Sequence, residues 1–593
     1  MKNLIRIFSV FIITGLLVSC EEEDFLEAQA KSTLDESIIF STVGLAQGAV
    51  DGILEPLGQT NSYRGRFLPL YGFNTDVEYH FSSTSGNANS DLVTYDAKPN
   101  NSSMNSENNT WAMMYQGIER ANIVIRGLRN HGNPESGTEF GQLLGTALTY
   151  RAVYYGDLMK AWGDVPARFE PITTETIYLP KTSRDTIYKQ LIDDLGEAST
   201  LVAWPNEAPA TATVERINKA FVKGLRARLA MVASGYQQYP DGVRRSNDPD
   251  LSVQKMYQLA LDESRSVINS GTASLKPSFE TFWREYNAEN INAGGESLWE
   301  IPFSDGRGRV LFSFAVRHRS VDQFTGQPRG GSAGPTPLVF YDFDEDDTRR
   351  DVTSVPYQWG TAVDGIAQQE LQGIDMWYFG KYRYEWMNRY VTSTNDDGVN
   401  WIYMRYAEIL LTAAEAANEL EGPGAAAPYL KEIRRRAFPS DQHAVKADAY
   451  VVGLSSKEAM FNAIVEEYKY EFTGEMTRKQ ALIRWNLLSD KLEEAKGKLT
   501  NLENRTGEYA DVPTTLYYKY EDDGVTLDLY GLERDETSDP GPEYSAYNWG
   551  EPLDEIINSI YKPGVDVENR QFWPIWQVFI DASNGELVND YGY

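Results

Sequence analysis

The amino-acid sequence predicts a mainly α-helical protein in which helices alternate with long irregular segments. Apolar side chains recur at helical spacing through residues 105–290 and again through residues 401–488. Between these stretches, residues 292–400 are rich in Gly, Pro, Asp and aromatic side chains, and residues 490–593 have a similar character. Loop tracts of this length are usually functional or disordered. Their aromatic content favours ordered, functional loops.

The chain begins with a segment typical of an exported lipoprotein. Lys2 and Arg6 form a short basic region, and the apolar run Ile7–Val18 is shorter than the ~20 residues that a membrane-spanning helix needs. The run closes on Cys20, which is the only cysteine in the chain, so no intramolecular disulfide can form. This ending resembles the bacterial lipobox. We predict that residues 1–19 are a signal peptide and that Cys20 is lipidated.

The composition excludes several classes of function. A formal net charge of −31 repels phosphate backbones, so nucleic acid is not an expected partner. Hydrophobic residues make up 41% of the chain, which is ample for large cores. Tyrosine (36 residues) outnumbers phenylalanine (24), and such amphipathic rings suit surfaces that are wet and adhesive at once.

Helical spacing and end signals define the individual elements. Gly163 and Pro166 are typical of a helix end, and Ser183 is typical of an N-cap. The predicted helices are residues 105–129, 143–162, 183–201, 218–233, 254–268, 401–420, 425–436, 457–472 and 477–488. They predict one body from residue 20 onwards. Its scaffold spans roughly residues 36–290 and 401–490, with a loop-rich insert (292–400) and an irregular C-terminal region (490–593).

Seven motifs, in the right order, resemble those of SusD/RagB lipoproteins from Bacteroidetes. One departure lies in Glu467–Arg478 (EYKYEFTGEMTR), where Tyr468 replaces a usual Arg and Gly474-Glu475 stand in transposed order. The other motifs are Phe25–Glu27 (FLE), Arg151–Pro166 (RAVYYGDLMKAWGDVP), Asp346–Arg349 (DDTR), Met404–Ala416 (MRYAEILLTAAEA), Arg434–Ala437 (RRRA) and the C-terminal set of Asn569, Pro574-Ile575 and Asn589–Tyr593.

This resemblance implies a fold, a partner and a location. The implied fold is a superhelical scaffold of four degenerate tetratricopeptide-type helix pairs that carries long ligand-binding and capping loops. The implied partner is a SusC-like TonB-dependent transporter, over which such proteins sit as a lid. The implied location is the cell surface, with the protein anchored by lipid to the outer membrane.

Enzymatic activity is not predicted. Gly330–Gly334 fits G-x-S-x-G, but Pro328, Pro335 and Pro337 flank it, so the strand–turn–helix of a nucleophile elbow is not expected. The four histidines lack H-E-x-x-H spacing. Asp342–Asp346 resembles the start of a calcium loop without matching the full pattern. No cofactor is expected, and a structural Ca²⁺ at this segment is left open.

A ligand-binding loop is predicted at residues 74–81. In starch-binding members of the family, a T-D-x-x-x-W-x-W run occupies this loop; here Asp76 is followed by Tyr79 and Phe81, with Arg64 as a nearby charged donor. Flat rings beside hydrogen-bonding groups match the apolar faces and hydroxyl rims of sugars. Tyr79 and Phe81 are equally compatible with a loop core. Trp283 and Tyr286 form a second, poorer candidate pair.

The sequence therefore predicts a binding protein that captures an oligosaccharide and delivers it to the transporter. A peptide ligand, as in RagB-like members, is the first alternative, and a surface glycan hydrolase is a less favoured one. The identity of the ligand does not follow from the sequence.

Overall fold

The computed structural model describes residues 35–304, 306–392, 397–534 and 536–593, and it confirms the mainly α-helical class. The helices are α1 (Glu36–Ser41), α2 (Val43–Asp51), α3 (Ala88–Val93), α4 (Thr110–Gly127), α5 (Glu139–Trp162), α6 (Arg184–Leu201), α7 (Lys219–Ala233), α8 (Val253–Ser270), α9 (Phe279–Asn287), α10 (Val310–Phe314), α11 (Pro337–Asp342), α12 (Arg350–Thr353), α13 (Tyr406–Glu421), α14 (Pro423–Ala437), α15 (Tyr450–Gly453), α16 (Lys457–Phe472), α17 (Arg478–Trp485), α18 (Leu488–Asn504), α19 (Asp554–Ser559) and α20 (Gln577–Ala582).

Short antiparallel pairings link the loop tracts to one another. The pairs are β1–β5, β2–β3, β4–β10, β6–β9 and β7–β8, and β11 lies between β12 and β13. The strands are β1 (Glu78–His80), β2 (Gln237–Tyr239), β3 (Gly242–Arg244), β4 (Ser297–Ile301), β5 (Ala333–Pro335), β6 (Ser354–Val355), β7 (Tyr357–Trp359), β8 (Gln369–Leu371), β9 (Tyr378–Phe379), β10 (Trp401–Arg405), β11 (Thr515–Tyr520), β12 (Leu527–Tyr530) and β13 (Ser545–Asn548).

The long helices pack one on the next and so build the scaffold. Helix α4 contacts α5, α5 contacts α6, α6 contacts α7, and α7 contacts α8. Beyond the insert, α13 packs on α8, and α14 packs on α13. At Gly117 the contact between α4 and α5 is close, because an added Cβ would lie 2.1 Å from the Tyr154 ring. Serial packing of this kind is what the tetratricopeptide-type scaffold implies. The number of four pairs stays a prediction.

Eight of the twenty described helices begin at a side-chain cap that the sequence displays. The Thr138 side chain accepts a hydrogen bond from Gly141 N–H at the start of α5, and Gly163 ends that helix at a φ of 72°. Helix α16 has the predicted bounds. No helix within the described ranges is long and apolar enough to cross a membrane. The predicted signal peptide and Cys20 lie outside these ranges.

Two predictions of secondary structure are wrong. Residues 401–405 do not begin a helix. They form β10, which pairs with β4. The C-terminal region is also more regular than predicted, because it begins with α18 and contains the β11–β13 sheet. Leu488, Leu492 and Leu499 of α18 recur at helical spacing and are buried, so the apolar pattern was present in the sequence.

Four of the seven motifs meet in one buried ion cluster. Its members, drawn from six separate segments, are the cations Arg349, Lys381, Arg405, Arg434 and Arg436 and the acids Glu296, Asp347, Glu467, Glu471 and Glu475. Arg405 Nε donates to Glu475 at 2.7 Å, and Arg349 Nη1 donates to Glu471 at 2.9 Å. Burial alone would raise the pKa of Glu471, but the guanidinium groups of Arg436, Arg405 and Arg349 hold that pKa well below its usual range. These four motifs thus belong to the scaffold rather than to a ligand site.

Candidate ligand-binding site

A short strand pair brings the predicted aromatic loop against the glycine-rich loop of the insert. In the β1–β5 pair, Tyr79 lies opposite Gly334, and just beyond it Phe81 N–H donates to the Ser332 carbonyl at 3.0 Å. The Phe81 ring packs edge-on against Tyr378, with ring centroids 5.8 Å apart. The Tyr378 hydroxyl lies 3.2 Å from the sulfur of Met376. We call Phe81, Met376 and Tyr378 the aromatic patch; Phe81 and Met376 are half-buried, and Tyr378 is buried beneath them.

Glycine is required where the glycine-rich loop passes this patch. Gly331 has a φ of 67°, and an added Cβ would lie 2.6 Å from the Tyr378 ring and 2.8 Å from the Cβ of Arg317. The G-x-S-x-G segment is a loop followed by β5, and α11 begins just after it. We did not expect a helix there. Pro337 occupies its first turn, where a missing N–H is tolerated.

Three carboxylates border the aromatic patch. A Cβ on Gly373 would lie 2.2 Å from Glu551 Oε2 and 2.5 Å from Asp375 Oδ1, so these two side chains face each other across the glycine. Burial, and then the negative charge of Glu555, raises the pKa of Asp375. Burial and the charge of Asp375 likewise raise the pKa of Glu551. Among the described residues, no Lys or Arg forms an ion pair with these three acids.

A cation and further hydrogen-bonding groups complete the surroundings. Arg317 is exposed beside Tyr378; burial raises the pKa of Tyr378 to about 12, and the charge of Arg317 opposes that rise. The arrangement offers apolar ring and thioether surface next to acceptors and one donor cation. Such a surface can stack on the C–H face of a sugar while its rim binds the hydroxyls.

The structure separates the residues that we predicted for this site. Phe81 is the predicted residue whose ring reaches the surface. Tyr79 is 5% exposed, and its hydroxyl lies 2.5 Å from Ser559 Oγ, so it belongs to the loop core. Asp76 is buried in a bidentate ion pair with Arg478, at 3.0 and 2.7 Å. Arg64 is also buried and donates to the Gly308 carbonyl at 3.2 Å. Tyr79, Asp76 and Arg64 are therefore buried structural residues in this conformation, which corrects their prediction as ligand contacts.

The second candidate pair is also corrected. Trp283 and Tyr286 lie in α9, not in a loop, and Trp283 has no exposed surface. The Tyr382 ring packs against both side chains, and the Tyr286 hydroxyl donates to the Asn400 carbonyl at 2.5 Å. Apolar residues recur through Phe279–Asn287 at helical spacing, which is the pattern of a buried helix face.

Sequence reasoning missed Met376, Tyr378, Asp375 and Glu551. They follow no helical or strand period, and the residues that meet lie far apart in the chain. The short alternation around β9 was the available signal, but it did not identify a partner strand. Only the strand pairing and the packing around Gly331 and Gly373 bring these groups together.

Other parts of the molecule offer weaker candidates. A cavity of about 410 Å³ between α2 and β4 is lined by Asp51, Glu55 and Arg216, but Asp51 pairs with Arg216 at 2.7 Å and Glu55 pairs with Arg120 at 3.0 Å. These two acidic side chains are therefore already paired. Within the described residues, no group of three or more His, Cys, Asp or Glu side chains is placed to hold a metal ion.

The segment where we left Ca²⁺ open carries ion pairs with lysine. Asp342 binds Lys469 and lies 3.1 Å from Lys498, and Asp344 binds Lys446 at 2.6 Å. A Ca²⁺ ion at this segment would have to displace these cations.

Comparison with known families and proteins finds matches along most of the chain. Residues 339–593 match the family described as "SusD family", and residues 24–230 match the family described as "Starch-binding associating with outer membrane". Among curated relatives, the SusD-like protein P25 of Formosa agariphila is 22% identical over 522 residues, which cover 82% of this chain and 92% of that protein.

Solved structures share the fold at low sequence identity. A SusD homolog from Bacteroides thetaiotaomicron aligns with a TM-score of 0.73 at 18% identity and covers 94% of this chain and 98% of that one. The surface glycan-binding protein A of the same organism, solved in complex with laminarihexaose, aligns with a TM-score of 0.61 at 18% identity. That alignment covers 92% of this chain and 99% of that one.

Proposed function

Because the chain belongs to the SusD/RagB family, we propose that it is a cell-surface lipoprotein that captures an oligosaccharide and delivers it to a SusC-like TonB-dependent transporter. The observation that carries this proposal is the aromatic patch, where the half-buried Phe81 ring packs on Tyr378 and where Asp375, which faces Glu551, directly precedes Met376. Ring faces with flanking carboxylates suit sugars better than they suit an extended peptide, whose main chain needs an unpaired strand edge. The glycan complex of a protein with the same fold supports the same reading.

Binding is tested at Phe81 by calorimetry with a panel of soluble polysaccharides and peptides. We expect Phe81→Ala to weaken glycan binding, because a stacked ring contributes about 0.5–1.5 kcal/mol beyond its buried area. Phe81→Leu keeps most of the bulk and should show a similar loss. Tyr178→Ala removes an exposed ring from the loop between α5 and α6 and should have no effect. Undiminished binding by Phe81→Ala, or binding of peptides alone, contradicts the proposal.

Anchoring rests on Cys20 and on the residues around it. We expect Cys20→Ala to leave the body folded but to release it from the membrane fraction, because lipid chains supply about 0.8 kcal/mol of affinity per buried methylene. The assay uses cells that lack the transporter, so that the partner does not retain the protein. Pelleting of the variant with outer membranes would contradict lipid anchoring. Co-purification with a large β-barrel from gently solubilised membranes tests the partner.

The hydrolase alternative is tested at the facing carboxylates. Asp375 and Glu551 approach each other across Gly373, as acids do in some glycosidases. We expect the purified protein to release no reducing ends from any glycan that it binds. Release that disappears in Glu551→Gln would replace the binding function with a catalytic one.

A further inference from the structure

A row of tyrosines lies on one face of the C-terminal sheet. Tyr518 and Tyr520 are two residues apart on β11, so their side chains point to the same face at a spacing of about 7 Å. On β13, Tyr547 lies opposite Leu516, which places its ring on that same face. Tyr518 and Tyr547 are half-buried and Tyr520 is exposed. We call these three residues the tyrosine row.

The neighbouring hairpin holds one end of this row in place. The Tyr520 hydroxyl donates to the Gln369 carbonyl at 3.0 Å. The Gln369 side chain accepts from Leu527 N–H at 2.9 Å, and Gln369 N–H donates to the Val525 carbonyl at 2.9 Å. At the other end, Leu516, which lies opposite Tyr547, is fully buried, and Tyr518 and Tyr547 pack against the hydrophobic core. Rings that are fixed before binding lose little conformational entropy when a ligand stacks on them.

The tyrosine row begins where the aromatic patch ends. Tyr547 lies four residues before Glu551 in the chain, and burial, and then the charges of Glu551 and Asp375, raises the pKa of Tyr547. Asp375 directly precedes Met376 of the patch. The surface therefore runs from Phe81 over Met376 and the two acids to Tyr547, and then along the sheet to Tyr520. Among the described residues along this path, Glu370 pairs with Arg319 at 3.6 Å, whereas Asp375, Glu551 and Glu555 form no ion pair.

We propose that the tyrosine row supplies further sugar-stacking positions, so that this protein binds an extended chain of uncharged sugars along the path from Phe81 to Tyr520. This inference rests on the proposed function and deepens it by naming the class of ligand. The net charge along the path selects against uronic-acid and sulfated chains, because four acids (Asp375, Glu551, Glu555 and the exposed Glu370) outnumber the two cations beside them, Arg317 and Arg319. The spacing of about 7 Å between Tyr518 and Tyr520 is of the same order as the length of one pyranose unit, so neighbouring rings of the row can stack on neighbouring sugars.

The test measures affinity against chain length by calorimetry. The probes are the laminari-, cello- and xylo-oligosaccharide series from disaccharide to hexasaccharide, with oligogalacturonates of the same lengths as anionic probes. We expect the parent to bind longer neutral chains more tightly, by about 2- to 12-fold for each additional ring used. In Tyr518→Ala/Tyr520→Ala the gain for the longest chains should vanish, because only Tyr547 of the row remains, while the shortest chain that binds keeps its affinity. Tyr518→Leu/Tyr520→Leu preserves more of the packing and should behave in the same way.

A matched control exists on the other face of the same sheet. Tyr517 and Tyr530 lie opposite each other with ring centroids 6.4 Å apart, and Tyr517→Ala/Tyr530→Ala should leave the length dependence intact. Equal affinity for short and long chains in the parent overturns the inference, and so does a length dependence that is unchanged by the loss of Tyr518 and Tyr520. In both cases Phe81-dependent binding would leave the proposed function standing. Preference for oligogalacturonate, or binding of none of the neutral series, overturns the assigned class of ligand.

Discussion

Replacing Glu471 with glutamine should destabilise the whole scaffold. Glu471 is fully buried and contacts the guanidinium groups of Arg349, Arg405 and Arg436, while its main-chain carbonyl accepts from Lys381 Nζ at 3.0 Å. Glutamine keeps the shape but removes the charge. Three buried guanidinium groups would then share fewer acids, and breaking a buried ion pair from one side costs about 3–5 kcal/mol.

The assay is urea unfolding of Glu471→Gln, followed by circular dichroism. Since an m-value of at least about 3 kcal/mol/M is expected for a chain of this size, a loss of 3–5 kcal/mol lowers the midpoint by at most about 1–1.7 M. Glu466→Gln is a matched control on the same helix, because Glu466 is 40% exposed and lies 3.5 Å from Lys491. An exposed pair of this kind contributes about 0–1 kcal/mol. Equal midpoints for the two variants would refute the role assigned to the buried ion cluster.

The effect of Glu471→Gln on the free energy of unfolding should depend on pH. The folded-state pKa of Glu471 is depressed, so the stability that its charge contributes is present above its unfolded pKa of about 4.3 and is lost as the pH falls through the folded value. The difference between the parent and Glu471→Gln should therefore be full at pH 7. It should shrink only below about pH 4.3. A difference that is already lost between pH 7 and pH 5 would contradict this assignment.

Three further outcomes follow from the packing. Trp283→Ala should cost about 3–5 kcal/mol of stability in urea unfolding, because the Trp283 ring is wholly internal. The glycan affinity of the folded variant should be unchanged. A loss of affinity without a loss of stability would instead identify Trp283 as a ligand contact. Gly331→Val should weaken glycan binding in calorimetry, because its Cβ would overlap the Tyr378 ring, whereas Gly86→Val, at a similar φ of 62° with open space around it, should bind normally. Leu492→Ala should lower the urea midpoint by an amount that corresponds to about 2–5 kcal/mol, and an unchanged midpoint would mean that α18 is not part of the core.

The sequence predicts the scaffold better than the site, for a physical reason. A helix carries its own period, so Lys457–Phe472 could be read directly from the chain, and α18 could have been read from its leucines. A loop aromatic carries no such period. Tyr79 and Phe81 differ by two residues, yet one ring is sealed against Ser559 and the other reaches the surface. That difference depends on contacts with distant segments, which no local pattern specifies.

The contact between Tyr79 and Ser559 also bears on the order of events during biosynthesis. These residues are 480 positions apart, and ribosomes add about 5–20 residues per second, so roughly 25–100 s separate their appearance. The Glu78 carboxylate likewise gains its hydrogen bond from Gly474 N–H, at 2.6 Å, only after residue 474 has been synthesised. A nascent or truncated chain therefore lacks the supports that hold Phe81 at the surface. The aromatic patch is thus complete only once the chain extends through Ser559.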